Sequence, residues 1–351
     1  MKLILSTGNI IGSKPSIARR PLIEKSNTEL TTSLRAHFAS CQSLAATHSA
    51  SQSSTAPTNS PSSSSPSQPP SYEAWTQPLP PSSSSNENTQ KTLLIPSPKL
   101  APPTPLAEDR AAYDITIKLF YLPSVRVEKR AAQTREALRT VCAALGVSSV
   151  DLCIVSFPGV AFDAEDEDSV PPSPSSDPTQ NQNSDPTDDP TTDGDAEEGE
   201  TDTPDESLES MIATWHTLET LYSTGAIRKL GVAEFNTSLL SRFLAATAVG
   251  PAVDQINVRD CCVVPKPLIL FAKEKGVELL THNDCTDILP RGTVRELLGA
   301  AGVLVRDGDK GKGLRGEVEP QWVVKYTAVV KDRGVVESKG YFAVAELEEE
   351  G

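Results

Sequence analysis

Between Ala252 and Cys285 the hydrophobic period changes from that of a strand to that of a helix and back, within about thirty residues. Few folds accept such a stretch. Ala252-Val-Asp-Gln-Ile-Asn-Val258 alternates apolar and polar residues, as a strand does. Pro265 and Pro267 bracket a turn and open a helix, where proline's fixed φ is tolerated. Leu268, Phe271 and Ala272 fall on one helical face, and Gly276 sits where a C-cap belongs. Val277 to Thr281 is a second strand. A strand, a helix and a strand in succession make one βαβ unit, which implies a parallel sheet. His282, Asn283 and Asp284 follow the second strand's C-terminal end, where parallel α/β folds place their polar chemistry.

The pattern continues outwards. Strands are expected at Leu3 to Ser6, Ile115 to Phe120, Val150 to Phe157, Ile227 to Val232 and Val335 to Ser338. Helices are expected at 27–46, 129–145, 207–223, 237–246, 291–299 and 321–331, the second ending at Gly146 and the fourth capped by Asn236 or Thr237. Strands alternating with helices indicate a parallel α/β domain, doubly wound or closed into an eight-fold barrel, and periodicity does not choose between them. Two tracts interrupt it. Residues 49–108 are rich in Ser and Pro, and residues 163–206 are acidic. Neither buries enough apolar surface to offset its ordering entropy, so both are expected to be disordered. The foldable segments are then 1–48, 109–162 and 207–345, with an acidic tail at 346–351.

The acidic tract holds 17 carboxylates and no basic residue, more than the whole net charge of −15, so the foldable part is nearly neutral. That balance speaks against nucleic acid or an anionic membrane as partner. The opening apolar run is too short for a signal peptide, and no stretch approaches the length of a membrane span. The six cysteines show no C-x-x-C spacing, so neither a zinc knot nor a thioredoxin-like motif is expected; a reducing cytoplasm fits best, and structural disulfides are not expected there.

Three segments carry a resemblance to a known family: Leu145 to Pro158, Thr214 to Phe235, and Pro251 to Asp284. In order and spacing they resemble the aldo-keto reductases, which implies a (β/α)₈ TIM barrel. Four further blocks narrow this to one branch. They are the opening Leu-Ser-Thr-Gly-Asn, Asp254 to Pro265 with its Cys261-Cys262 pair, Leu279 to Asp284, and Tyr326 to Tyr341. Together they resemble the regulatory (modifier) subunits of glutamate–cysteine ligase. The resemblance implies a heterodimer with the catalytic subunit, raised affinity for glutamate and relief of feedback inhibition by glutathione. An active NADPH-dependent aldo-keto reductase-like oxidoreductase is the alternative.

The residues bear on that choice. A carbonyl reductase needs a proton donor, which in this family is a Tyr assisted by Lys, Asp and His. Lys118 falls where the family's Lys lies, although a strand-end lysine reaching solvent is an equal reading. Ser156 stands in place of the His, and a hydroxyl does not titrate near neutrality. No Asp precedes Asp109, and neither Tyr72 nor Tyr113 is placed to serve as donor. Ala233-Glu234 replaces the Ser-Asn pair that would hold a nicotinamide, while Gln255 and Lys339 match cofactor-side positions. No catalytic residue and no cofactor are therefore expected, with Lys118, Ser156, Gln255 and His282 lining a vestigial pocket. NADPH binding as tight as in an active reductase is not expected. His282 reads foremost as a rim histidine bonding neighbouring loops, since no metal set surrounds it. Cys261 and Cys262 read foremost as small loop residues, with an intersubunit disulfide as the redox alternative. Partner contacts are expected in 259–265 and 321–341, which include Cys261, Cys262, Lys339 and Tyr341. Residues 307–312 lack the Gly-Lys-Ser/Thr ending of a phosphate loop and read as a solvated turn.

Overall fold

The computed structural model describes residues 1–11, 25–52, 70–80, 91–123, 125–162, 206–257, 264–305 and 312–348. Its parallel half follows the expected alternation: β4 (Tyr113–Tyr121), α2 (Val127–Leu145), β5 (Val150–Ser156), α3 (Leu208–Ser223), β6 (Ile227–Ala233), α4 (Thr237–Ala246), β7 (Val253–Asn257), α5 (Lys266–Lys275) and β8 (Glu278–His282). Local chemistry sets these bounds. Ser207 Oγ accepts the Ser210 N–H and Asn236 Oδ1 accepts the Leu239 N–H, so each side chain caps its helix. Gly146 and Gly276 end α2 and α5 in the left-handed region, at φ 70° and 72°.

Before this half lie β1 (Lys2–Ser6), α1 (Ser26–Gln52), β2 (Gln77–Leu79) and β3 (Thr92–Ile95). After it come α6 (Thr293–Ala300), β9 (Glu317–Val330) and β10 (Val335–Glu348). All the strands join one ten-stranded sheet in the order β2-β3-β1-β10-β9-β4-β5-β6-β7-β8. The β9–β10 hairpin is antiparallel to both neighbours and joins the first strands to the parallel half. Among the described residues no pairing joins β8 back to β2.

Each face of the sheet carries its own core. On one, the side chains of β4 to β7 and the even positions of β9 from Trp322 to Val330 pack against α2 to α5. Trp215 and Phe243 meet edge to face there at 5.0 Å, and Phe235 meets Phe243 at 5.2 Å, arrangements that aromatic quadrupoles favour. On the other, Leu3, Leu5, Leu93, Val323, Tyr341 and Ala343 pack against α1 and α6. Gly340 is required where β10 passes the end of β1: a Cβ would stand 2.4 Å from the Gly8 carbonyl and 2.6 Å from the Tyr326 hydroxyl.

Several expectations are corrected. Residues 321–330 lie not in a helix but in β9, whose Trp322–Val330 stretch is paired with both β4 and β10. The final strand does not stop at Ser338: β10 runs to Glu348 and takes in the start of the supposed acidic tail, with Glu346 opposite Lys2. The Ser/Pro-rich segment 49–108 is not wholly without structure. Residues 49–52 extend α1, β2 and β3 lie within the segment, and Trp75 is completely buried against Phe38. Residues 163–205 of the acidic tract lie outside the described residues. Glu206, assigned to that tract, is instead a buried anchor, with its carboxylate bound by both terminal nitrogens of Arg130 at 2.5 and 2.8 Å.

Candidate functional site

Charged side chains from β4 and β9 gather around Asp284, just past β8. Lys118 on β4 is directly opposite Lys325 on β9, which is directly opposite Tyr341 on β10. Like charges facing each other on adjacent strands repel. Asp284, just past β8, lies between them, with Oδ2 3.0 Å from Lys118 Nζ and Oδ1 2.8 Å from Lys325 Nζ. Lys118 and Asp284 are only 4% and 3% exposed, so this is a buried clamp and not a surface pair. Burial opposes charge on both groups. At Asp284 the two lysines outweigh it and hold the carboxyl well below its ordinary range. At Lys118 burial outweighs the pull of Asp284 and pushes the ammonium down.

His282 and Glu234 extend the cluster. His282 Nδ1 accepts the Asp284 N–H at 3.0 Å, and its Nε2 lies 2.6 Å from Glu234 Oε1. Glu234 Oε2 accepts the N–H groups of Phe162 and Asn257. Glu234 itself has φ 67°, a region that non-glycine residues enter only when their surroundings hold them there. On the other flank, Glu29 in the first turn of α1 meets Lys339 Nζ at 2.6 Å and accepts the Tyr341 hydroxyl at 2.6 Å. Burial raises the Tyr341 phenol far above its normal range, and Glu29 reinforces the shift. Burial works against the Glu29 charge too, yet its bonds to Lys339 and Tyr341 bring its pKa down.

The chemical consequence is a charged network in which Lys118 and Lys325 face Asp284, His282 faces Glu234, and Lys339 and Tyr341 face Glu29. Tyr, Lys, Asp and His, the residue types of a carbonyl-reducing proton relay, all occur in it. They are wired otherwise, with the Tyr341 proton given to a carboxylate and Lys118 held by Asp284. Sequence reasoning placed Lys118, His282 and Asp284 at the strand ends, and burial decides against a solvent-reaching Lys118. Ser156 ends β5 opposite Phe120, and Gln255 lies on β7 opposite Ala233 and Leu280. Lys339 and Tyr341 are joined through Glu29. Cys261, Cys262 and all but Lys312 of the 307–312 loop lie outside the described residues. Glu29, Glu234 and Lys325 were not anticipated as network members; the one signal available was the charge of Glu234 at a strand end. Among the described residues no group of three or more His, Cys, Asp or Glu side chains could hold a metal ion.

Beneath the network lies Asp254, completely buried, whose Oδ1 accepts the Phe235 N–H at 3.4 Å and whose Oδ2 makes no hydrogen bond. Burial pushes its carboxyl well above the ordinary range, and Glu234 adds to the shift. A raised acid favours the fold below its unfolded pKa, and that contribution is lost as pH rises through the folded pKa. Asp254→Asn removes this loss. The variant is expected to match the wild type near pH 4 and to gain roughly 1–3 kcal/mol by pH 8. Denaturant unfolding across that range checks it, and a stability difference that does not grow with pH refutes it.

The Aldo/keto reductase family model matches residues 103–284. The glutamate–cysteine ligase regulatory subunits of Bos taurus and Homo sapiens are each 26% identical over 238 residues, covering 68% of this chain and 68% of theirs. A putative glutamate–cysteine ligase regulatory subunit of Schizosaccharomyces pombe is 24% identical over 262 residues, covering 74% of this chain and 80% of its own. Among solved structures, an aldo/keto reductase of Brucella melitensis is 18% identical with a TM-score of 0.29, covering 49% of this chain and 47% of its own. The family match spans more than half of the sequence and takes in β4 to β8 with the helices between them, the half that holds Lys118, Glu234, His282 and Asp284; the chain belongs to the aldo/keto reductase family.

Proposed function

We propose that this chain is a non-catalytic regulatory subunit of glutamate–cysteine ligase. It binds the catalytic subunit, raises its affinity for glutamate and relieves its inhibition by glutathione. The alignment with named regulatory subunits along 68% of both chains carries this reading. The pairing of Tyr341 with Glu29 and of Lys118 with Asp284 supports its non-catalytic half. A general acid must release its proton near working pH, whereas the Tyr341 hydroxyl is buried, bonded to Glu29 and raised. No nicotinamide cofactor belongs to this reading. Glu234 already holds two backbone N–H groups and faces His282, and Lys339 is neutralised by Glu29. A cytoplasmic setting goes with it, and no described helix is long and apolar enough to cross a membrane.

Binding alters a partner only through different affinity for two of its states. A tenfold gain in glutamate affinity requires about 1.4 kcal/mol of coupling, and by linkage glutamate tightens the subunit association by the same factor. The expected results are co-purification with tagged catalytic subunit, a lower KM for glutamate and weaker inhibition by glutathione. No NADPH oxidation is expected with a panel of aldehydes. Absence of complex together with unchanged kinetics refutes the regulatory reading, and aldehyde turnover at ordinary enzyme rates restores the reductase one.

A further inference from the structure

Glu29 is held as a bound ligand is held. One of its carboxylate oxygens lies 2.6 Å from Lys339 Nζ, and the other accepts the Tyr341 hydroxyl at 2.6 Å. Both donors stand on β10, two residues apart and so on one face of the strand. The acceptor comes from the first turn of α1. Lys325 Nζ, 6.0 Å from the centre of the Tyr341 ring, adds positive potential. No neighbouring carboxylate is free to replace Glu29. Asp284 is committed to Lys118 and Lys325, and Glu234 to His282 and two backbone N–H groups. Among the described residues Lys339 has no other ion pair, and the Tyr341 hydroxyl makes no other hydrogen bond. Tyr341 is completely buried, and a buried hydroxyl without a partner is costly. Glu29 and Lys339 are 15% and 24% exposed, so the contact also opens to solvent.

We propose that Lys339 and Tyr341 form a binding site for a carboxylate group, which Glu29 fills from within the chain and a small free carboxylate fills when Glu29 is cut back. The seating of α1 does not depend on that contact alone. Leu30, Leu34, Phe38, Cys41 and Ala45 recur every three or four residues, and all are buried in the core on that face of the sheet. Ser26 Oγ fastens the first turn as well, by accepting the Cys285 N–H at 2.9 Å. Shortening the Glu29 side chain therefore leaves a vacated site beside a seated helix. A tethered carboxylate has an effective concentration that a dissolved one hardly matches, so the intact chain excludes competitors. This inference is independent of the regulatory reading above.

Glu29→Ala removes Cγ and the carboxylate, which together are the heavy atoms of acetate. The test is thermal unfolding of the full-length variant in sodium acetate and in sodium chloride at equal ionic strength. The wild type, whose site is filled, measures the general effect of each salt. Beyond that effect, acetate at ten times its dissociation constant should raise the melting temperature of Glu29→Ala by about 3–6 °C. Glu29→Ala/Lys339→Met should lose this excess. A response no larger than that of the wild type, or an excess that survives Lys339→Met, overturns the site. If Glu29→Ala is recovered only unfolded, acetate present during refolding should restore cooperative unfolding where chloride does not. Equal failure in the two salts overturns the proposal.

Discussion

Asp284→Asn is expected to cost about 3–5 kcal/mol, because it leaves two adjacent cations without their shared counter-charge in a nearly dry site. Lys118 is 4% exposed and Lys325 22%, so solvent screens the first hardly at all. Adding Lys118→Met removes one of the two ammoniums and should recover much of the loss, which a double-mutant cycle in urea quantifies. A cost below about 1 kcal/mol would mean that the lysines find other partners. The pH dependence has a definite sign. The Asp284 pKa is lowered in the fold, so its contribution is fully present above the unfolded carboxylate pKa and disappears as pH falls through the folded one. The acid limb of wild-type stability should therefore flatten in Asp284→Asn.

Glu206→Ala is expected to have an effect of the same size, about 3–5 kcal/mol. Its partner Arg130 is 3% exposed in its side chain and lies over the Tyr121 ring, so removal of the carboxylate strands a guanidinium that water does not reach. Replacing 163–205 by a short Gly/Ser linker while keeping Glu206 should move the melting temperature little, since closure entropy changes by only about 0.6 kcal/mol per doubling of length. Extending the replacement by one residue, through Glu206, should reproduce the full loss. Equal melting temperatures for the two linker variants would remove Glu206 from the fold's essential contacts.

The parallel half was legible because each element signals locally. Strands alternate or run apolar, helices repeat every three or four residues, and Gly146 and Gly276 mark two stops with the backbone only glycine adopts freely. Strand β9 was not legible. Its even positions from Trp322 to Val330 are buried and Lys325, Thr327 and Val329 only partly so, but Val323 and Val329 are apolar as well, so the apolar positions fit a helical stripe as well as a strand. That error hid Lys325, whose place opposite Lys118 exists only in the β9 register. Glu29 was hidden differently. It reads as an ordinary first-turn acid of a helix, and its partners Lys339 and Tyr341 lie 310 and 312 residues away. Charge pairing at that separation leaves no trace in local pattern. The Ser/Pro composition of 49–108 was read as uniform, yet Trp75 and the Thr92–Ile95 run were apolar islands with enough surface to dock.

The hairpin sets an order on how this sheet can be assembled. β9 and β10 lie between β1 and β4 in space but emerge from the ribosome after both. Until residue 317 has been made, β1 and β4 each wait with a bare edge, and the two halves of the sheet have nothing to join them. The parallel half can collapse on contacts of its own, whereas the N-terminal strands need contacts spanning nearly the full chain, such as the Met1 ammonium bonded to the Leu347 carbonyl. A nascent or truncated chain lacking the hairpin is thus the form most open to edge-to-edge aggregation.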